Sequence, residues 1–403
     1  MTPLLPVDDA IARIIAEVSP LEPEWVSLRD ANGRVLAEPL SARITQPPFA
    51  ASAMDGYAVC AEDVGLAGGE LRLVGIAAAG HSFTGKVSRG ETVRIFTGAP
   101  MPDGTDAVLI QENAEIIDPA TIRAREAVGA GRNVRPAGLD FAAGASLLAA
   151  GRRIGMREVA LAAAMGHATL PVRRRPQVAV IATGDELVVP GATRRPDQIF
   201  ASNASGIAAY VERLGGEAHD LGIIRDDRAA LRHGIEAAGA VPADILVTLG
   251  GASVGDHDLI RQALESAGMV LDFWRIAMRP GKPLLFGRLG GMRVLGLPGN
   301  PVSSLVCALL FLAPLIGAFL GSPPGDQTGP AVLGNDLPAN DARQDYLRAT
   351  LRRQRDAPPV ASPLQLQDSS MLSILAAADC LIIRPPHAPP AAAGDACEIL
   401  MLP

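Results

Sequence analysis

Short, continuously apolar segments in the middle of the chain constrain its fold most. Each of them stops at a cluster of glycine or acidic residues, and segments of helical periodicity lie between them. Strands are expected at Gln177–Ala182, Ala218–Ile224, Asp244–Leu249 and Arg293–Leu297, with strand-like segments at Val270–Trp274 and Leu284–Phe286, and helices at Ser205–Leu214, Ala229–Ala238 and Asp258–Ala267. Strands that are buried on both faces and alternate with helices predict a doubly wound parallel sheet, hence an α/β domain.

The chain on either side of this α/β domain has a different pattern of predicted secondary structure. With 403 residues the protein exceeds one ordinary hydrophobic core, so a multidomain fold is expected. Residues 46–139 and 323–403 contain short strands punctuated by Gly and Pro. We therefore predict four domains: a discontinuous helical and extended N-terminal domain, an inserted β-rich domain, the α/β domain, and a β-barrel-like C-terminal domain. Their ranges are 1–45 with 140–175, 46–139, 176–322 and 323–403.

Composition and charge restrict the class of protein. A hydrophobic content of 48% with 20% charged residues is typical of a globular chain, and a net charge of −7 argues against a nucleic-acid partner. The four cysteines have no metal-binding spacing, so free thiols in the cytoplasm are expected. Val302–Leu320 has no charge, but Pro314 interrupts it and no basic flank follows. It predicts a helix that is buried in a core or in a dimer seam, without insertion into a membrane.

Three of the expected strand ends carry residues suited to a phosphate and its counter-ion. The backbone at Gly250 and Gly251, with Ser253, could approach an anion as phosphate-binding loops do. Acidic pairs follow two neighbouring strands, at Asp185-Glu186 and Asp226-Asp227. Because carboxylates repel a phosphate unless a hard cation lies between them, Mg²⁺ is implied. The alternative is a structural glycine turn beside two helix N-caps.

Two further segments could receive an oxyanion. Arg279 and Lys282 are separated by a Pro-Gly turn that could aim both cations at one place, although a solvated basic turn is an equal alternative. The second segment follows a buried strand and opens a helix. Its N–H groups and hydroxyls could bind a tetrahedral anion; the alternative is that its prolines only make a rigid start of the helix. It reads Pro298-Gly299-Asn300-Pro301-Val302-Ser303-Ser304.

The β-rich region contains three polar turns, around Asp55, Thr97 and Asp140. Read in isolation, each favours a structural role. No G-x-S-x-G, P-loop lysine or strand-associated G-x-G-x-x-G motif is present, so the common hydrolase, P-loop and dehydrogenase classes have no support.

The order of these motifs resembles the molybdopterin molybdenumtransferase family, which includes the C-terminal domain of gephyrin. The similarity spans nearly the whole chain. Its most specific parts are Ser52–Ala58 (SAMDGYA), Thr97–Pro100 (TGAP), Thr183–Leu187 (TGDEL), Gly222–Asp227 (GIIRDD), Pro280–Pro283 (PGKP) and Leu297–Ser303 (LPGNPVS).

The resemblance implies an elongated homodimer in which molybdate is loaded onto the dithiolene of adenylylated molybdopterin, and AMP is released with the help of Mg²⁺. A molybdopterin adenylyltransferase and a non-catalytic scaffold are the alternatives; other cofactor-biosynthesis proteins are possible partners. Residues expected to be catalytic by resemblance are Asp55, Thr97, Asp140, Glu186, Asp226 and Asp258. Of these, Glu186 and Asp226 are the Mg²⁺ ligands that the resemblance implies. Those expected to bind substrate or molybdate are Gly250, Gly251, Ser253, Arg275, Arg279, Lys282, Pro298, Asn300, Pro301, Ser303, Arg348 and Ser369.

Some positions depart from the family pattern. Arg275 and Arg279 stand where the family often has Lys, which keeps the charge but changes the hydrogen-bond geometry. Ala201 replaces an acid of the usual Asp-Ser-Asn segment, and Leu139 replaces a usual Glu beside Asp140. An active enzyme is still expected, and the loss at Ala201 is the sole support for the scaffold.

Overall fold

The chain folds into two compact units, each described here by itself. The computed structural model describes residues 4–250, 259–323, 325 and 327–403. Unit 1 comprises Met1–Glu24, Gly33–Ala37 and Val172–Pro403, and unit 2 comprises Trp25–Asn32 and Glu38–Pro171. The prediction of four separate domains stays a prediction.

The first part of the chain consists mainly of short strands. Its helices are α1 (Val7–Ile15), which carries Asp8 and Asp9 in its first turn, and α2 (Met156–Ala164). Its strands are β1 (Pro23–Ser27), β2 (Leu40–Ser41), β3 (Ala51–Ser52), β4 (Gly56–Val59), β5 (Glu70–Ala77), β6 (Glu91–Ile95), β7 (Ala107–Ile110), β8 (Ala114–Asp118), β9 (Thr121–Ala124), β10 (Val134–Arg135), β11 (Ser146–Leu148) and β12 (Thr169–Arg173).

A six-stranded sheet forms the centre of unit 2. Its strand order is β7-β4-β6-β5-β9-β8. One hydrophobic core of this unit contains Tyr57, Leu71 and Leu109, and another contains Ala58, Val93 and Ile95. Neighbouring residues Tyr57 and Ala58 belong to different cores because successive side chains of a strand point to opposite faces.

Strands and helices alternate in the next part of the chain, as the sequence predicts. The helices are α3 (Ser202–Leu214), α4 (Arg228–Ala240), α5 (Leu259–Ser266), α6 (Pro301–Cys307) and α7 (Ala313–Leu320). The strands are β13 (Gln177–Thr183), β14 (Leu187–Val188), β15 (Ile199–Phe200), β16 (Glu217–Ile224), β17 (Ile245–Leu249), β18 (Val270–Trp274), β19 (Met278–Arg279), β20 (Leu285–Leu289) and β21 (Met292–Leu297).

The central sheet is parallel in one part and antiparallel in the other. Its order is β16-β13-β17-β21-β20-β18, and the pairs among the first four strands are parallel. Strands β20 and β18 add antiparallel pairs at one edge. The expectation of a parallel sheet is thus corrected for this edge. The cause is the two-residue Gly290-Gly291 connection between β20 and β21, which can join only antiparallel neighbours.

Alternate residues of the parallel strands face two different hydrophobic cores. On β13, Val178 and Val180 belong to a core that includes α1, α3, α6 and α7, whereas Ala179 and Ile181 belong to a core that includes α4 and α5. Helices therefore cover both faces of the sheet, and the prediction of a doubly wound arrangement is confirmed for these strands. This arrangement leaves the carboxyl ends of the strands available to form a site.

The uncharged helical stretch lies in the first of these cores. Helix α6 continues through a π-helical turn (Ala308–Leu312) into α7. Pro301–Leu320 is long and apolar enough to cross a membrane, but 72% of its most apolar window is buried inside the protein. The prediction of a buried core helix is confirmed.

A closed β-barrel forms the C-terminal part of unit 1. Its strands are β22 (Thr328–Leu333), β23 (Gln344–Arg352), β24 (Val360–Pro363), β25 (Cys380–Arg384) and β26 (Ala396–Met401), with the short helix α8 (Leu372–Ala376) between β24 and β25. The order β23-β24-β22-β26-β25 closes through the β23–β25 pair. Strand β19 pairs with β23, which aligns Arg279 with Asp345.

Candidate active site

The largest cavity associated with the predicted site lies at the carboxyl ends of the parallel strands in unit 1. It has a volume of about 610 Å³. Loops after β13, β16, β17 and β21 contribute Glu186, Asp226, Gly250 and Pro298 to its lining. The lining also includes Ala182, Thr183, Leu187, Ile199, Phe200, Ala201, Ser202, Asn203, Ala204, Leu249, Pro283, Gly299, Asn300, Pro301 and Ser370. The expected convergence of the strand-end loops is therefore found.

Two acidic residues of this cavity interact unfavourably with each other. The pKa of Asp226 is raised, first because burial disfavours its charged form and then because Asp185 and Glu186 are negatively charged neighbours. The adjacent Asp227 has a different role, because its Oδ1 accepts hydrogen bonds from the N–H groups of Ala229 and Ala230, at 3.0 and 2.9 Å, and so caps α4. The helix-cap alternative thus holds for Asp227, while Asp226 lines the cavity.

These carboxylates suit a Mg²⁺ ion better than a fully protein-bound metal. Among residues 4–250, 259–323, 325 and 327–403 no group of three or more His, Cys, Asp or Glu is arranged to hold a metal. Mg²⁺ commonly binds one or two carboxylates and completes its coordination with water and substrate phosphates. Glu186 and Asp226 would be its protein ligands, and a cation there would relieve their mutual repulsion.

Close backbone packing connects two of the loops. Gly250 has φ +94°, and a Cβ at this position would lie 2.6 Å from the carbonyl oxygen of Thr183. A Cβ at Gly299 would lie 3.6 Å from the Cα of Gly250. Glycine is thus required at Gly250 by both its conformation and its neighbours. Gly251, Ser253 and Asp258, which belong to the predicted site, lie outside the described residues.

The start of α6 contacts the segment before α8. Asn300 donates a hydrogen bond from Nδ2 to Ser369 Oγ at 2.9 Å, and the Val302 N–H donates to the Ser369 carbonyl oxygen at 3.0 Å. Ser303 is buried within α6. The structure therefore brings Asn300, Pro301, Ser303 and Ser369 together. Of the two neighbouring serines, Ser370 is the one that lines the cavity.

Arg348 supports this segment from the barrel. Its side chain is buried on β23, and Nη2 donates to the carbonyl oxygens of Leu366 and Asp368 at 3.4 and 3.1 Å. Burial lowers the pKa of its guanidinium, and Nε has no hydrogen-bond partner among the residues that the structure describes. Oε1 of Gln367 accepts a hydrogen bond from the backbone N–H of Arg348 at 3.0 Å. Arg348 is thus connected to Ser369 through one short stretch of backbone.

The two cations of the Pro-Gly turn differ from the expected arrangement. Arg279 forms an ion pair with the buried Asp345 and lines a second cavity of about 360 Å³, which Asn340 and Gln367 also line. Lys282 is exposed and directly precedes Pro283, which lines the first cavity. The strand pair β19–β23 draws Arg279 towards Asp345, so the two cations do not line one cavity.

Arg275 also has a local partner. Its guanidinium carbon lies 4.3 Å from the centre of the Trp274 ring, an attractive cation–π distance. Arg275 lines neither of the two cavities.

The remaining predicted residues belong to unit 2. Asp55 Oδ1 accepts two hydrogen bonds from Thr97, one from its N–H and one from its hydroxyl, both at 2.8 Å. These bonds, and to a smaller extent the charge of Arg94, lower the pKa of Asp55. Asp140 is exposed in a turn, and its backbone N–H donates a hydrogen bond to the Gln46 carbonyl oxygen at 3.0 Å. Two of the most specific motifs are therefore joined by Asp55 and Thr97.

Several cavity residues were not predicted from the sequence. Asn203 donates to the Gly299 carbonyl oxygen at 2.8 Å, while Ile199, Phe200 and Pro283 contribute apolar surface. Asn203 could have been found because it remains from the family's Asp-Ser-Asn segment. Nothing in the sequence of Ile199 and Phe200 alone places them at a site.

The chain matches three family models along its length. They are the MoeA N-terminal region (domain I and II) over residues 5–166, a probable molybdopterin binding domain over 179–318, and the MoeA C-terminal region (domain IV) over 330–402. A molybdopterin molybdenumtransferase of Haemophilus influenzae is 33% identical, with 94% of each chain covered. Another of Bacillus subtilis is also 33% identical, covering 99% of this chain and 94% of its own length.

Solved structures agree with these sequence relatives. The molybdopterin biosynthesis MoeA protein from Pyrococcus horikoshii superimposes with a TM-score of 0.87 and 31% identity, covering 99% of both chains. The resemblance predicted from the six motifs is confirmed, and the chain belongs to the molybdopterin molybdenumtransferase family.

Proposed function

We propose that this protein is a molybdopterin molybdenumtransferase that inserts molybdate into adenylylated molybdopterin and releases AMP. The observation that carries the proposal is the cavity in which Glu186, Asp226, Gly250 and the start of α6 meet. The relatives named as molybdopterin molybdenumtransferases extend over nearly the whole chain, so both flanking regions belong to the same comparison. A stand-alone adenylyltransferase would not require those regions.

We assign Mg²⁺ and the phosphoanhydride of the substrate to the acidic side of this cavity. Glu186 and Asp226 would hold the ion, which supplies neutralisation of charge at the phosphate oxygens when bound. Gly250 contributes backbone to the lining of this cavity, where we propose that the phosphate binds. Asp258, Gly251 and Ser253 are proposed for the same role on the basis of their motif.

We assign molybdate to the region around the start of α6. A tetrahedral dianion needs cations and hydroxyl or N–H donors. Ser303 lies in the first turn of α6, Ser369 bonds to the start of this helix, and Arg348 supports the backbone before Ser369. Lys282 is proposed on the basis of its motif. Within the described part of the chain the Nε of Arg348 is a buried donor without a hydrogen-bond partner. Arg275 and Arg279, which have other partners, would adjust the charge of this region without direct contact.

Asp55, Thr97 and Asp140 of unit 2 are proposed as catalytic residues on the basis of their motifs. Asp55 is held ionised by Thr97, which leaves its second carboxylate oxygen available to a substrate group, and Asp140 is exposed. We further propose that the protein acts as a homodimer in the cytoplasm.

Incubation of the purified protein with adenylylated molybdopterin, Mg²⁺ and molybdate tests this function. AMP release that requires molybdate supports insertion. Consumption of ATP with free molybdopterin would show an adenylyltransferase instead. Binding of the substrate without either reaction would indicate a scaffold, and omission of Mg²⁺ tests the metal separately.

A further inference from the structure

A short ribbon forms an apolar wall of the 610 Å³ cavity. It consists of the parallel pair β14 and β15, in which Leu187 aligns with Ile199 and Val188 with Phe200. The Ile199 N–H donates to the Glu186 carbonyl oxygen at 2.8 Å, and the Ala201 N–H donates to the Val188 carbonyl oxygen at 2.9 Å. These backbone bonds fix the wall directly beside one of the acidic residues.

The exposure of Phe200 is not explained by the fold. In unit 1 the side chains of Phe273, Phe286, Phe311 and Phe319 are buried in the core around the central sheet, whereas Phe200 is 43% exposed. Ile199, its neighbour on the same strand, is 57% exposed. Aromatic residues make up only 3% of the chain, so an aromatic ring left open to a cavity is a feature that core packing does not require.

Another part of the cavity lining is polar. Glu186, Asp226 and Asn203 contribute polar side chains, and Gly250 and Gly299 contribute backbone. A ligand that matches the whole cavity has one flat apolar face and a charged phosphate portion. Small-molecule sites usually combine an apolar surface with a few polar groups in this way.

We propose that Phe200, with Ile199 beside it, binds a bicyclic heteroaromatic ring of the substrate by stacking, and so contributes to substrate affinity. This inference rests on the proposed function, whose substrate contains two such rings, a pterin and an adenine. Both present a π-face of similar size to the wall. When alanine replaces an aromatic side chain on which a base stacks, the loss of stacking weakens binding by roughly five- to a hundredfold.

Replacement of Phe200 by alanine and by tyrosine tests the proposal. Phe200→Ala should weaken binding of 5′-AMP or of pterin-6-carboxylate, measured by isothermal titration calorimetry, and the ring whose affinity falls is the one that the wall binds. In the AMP-release assay KM should rise by a similar factor while kcat changes little. Phe200→Tyr retains the ring and should restore both values.

Val189→Ala is the matched control. Val189 is 62% exposed directly after the same ribbon but does not line the cavity, so its replacement should leave both affinities unchanged. Unchanged affinities and unchanged KM in a folded Phe200→Ala variant would overturn the proposal. So would a changed oligomeric state with both affinities intact, because Phe200 would then cover a protein partner.

The two proposals can fail separately. If the wild-type protein releases AMP in a molybdate-dependent reaction and Phe200→Ala behaves like Val189→Ala, only the stacking inference is wrong. If the wild-type protein shows no such reaction but loses ring affinity in Phe200→Ala, the proposed function is wrong and the assignment of the wall stands.

Discussion

Replacement of Gly281 by alanine tests how the turn between Arg279 and Lys282 is held. Gly281 has φ +112°, a backbone conformation that side-chain-bearing residues rarely adopt. A Cβ there would lie 2.5 Å from Cys307 Sγ and 3.1 Å from Met278 Cε. Cys307 is fully buried on α6, so it cannot move away without disturbing the core.

Two terms set the expected loss of stability in Gly281→Ala. The backbone conformation costs alanine roughly 1–2 kcal/mol. Overpacking against Cys307 costs about 1–3 kcal/mol more, so we expect a decrease in the free energy of unfolding of about 2–5 kcal/mol. In the double variant Gly281→Ala with Cys307→Ala, removal of Sγ should recover most of the second term, which makes the two substitutions strongly non-additive.

Urea unfolding measured by the fluorescence of Trp274 provides the assay. Trp274 belongs to the central sheet, and replacing Trp25, the other tryptophan, by phenylalanine isolates its signal. Gly290→Ala is the control, since Gly290 also has a positive φ, +60°, but a Cβ there would meet no atom of the described residues within 4 Å. Equal losses for Gly281→Ala and Gly290→Ala, or additive effects in the double variant, would refute the packing argument.

Two further predictions concern charged groups that are not part of the cavity lining. Asp244 accepts hydrogen bonds from both Arg174 Nη atoms at 2.7 and 2.8 Å and from the Gln177 N–H at 2.8 Å. Asp244→Asn should therefore lower the free energy of unfolding, measured in urea titrations, by about 3 kcal/mol. A loss no larger than that of a surface substitution would contradict this prediction. Thr97→Val should raise the pKa of Asp55 towards its ordinary value in a carboxyl NMR titration, because both Thr97 bonds favour the ionised form. The stabilisation from these bonds is present above the unfolded-state pKa of Asp55 and is lost as pH falls through its lowered folded-state pKa. An unchanged titration of Asp55 in Thr97→Val would show that the bonds are not formed.

The sequence allowed the central sheet and the acidic side of the cavity to be predicted in advance. Continuous apolar strands identify burial on both faces, and parallel strands necessarily bring their carboxyl ends to one edge. Glu186, Asp226 and Gly250 were therefore placed together without knowledge of any contact. Strands β18 and β20 were expected as strand-like segments, but their antiparallel direction was not predicted, because it follows from the hairpin turn at Gly290-Gly291.

Residues whose position depends on long-range pairing could not be predicted. Arg279 and Lys282 are close in sequence, but the register of β19 with β23 pairs Arg279 with Asp345. Nothing in the local sequence specifies that register. The distinction between Asp226 and Asp227 also depends on the exact start of α4, which periodicity does not define to one residue.

The family motifs supplied the residues that periodicity could not. Asp55 and Thr97 look structural in isolation, and their mutual hydrogen bonds join two separate motifs. Ser370 shows the limit of such transfer, because it lines the cavity while its neighbour Ser369 binds Asn300. A shift of one residue in a loop is below the precision of motif matching.

The central claim is that the acids at the strand ends assist bond cleavage while molybdate is bound elsewhere. A comparison of AMP release and molybdate binding in Glu186→Gln tests it most directly, because glutamine keeps the size of the side chain and removes its charge. We predict that this variant stops releasing AMP and still binds molybdate about as tightly as the wild-type protein. Wild-type rates of AMP release in Glu186→Gln would contradict the account.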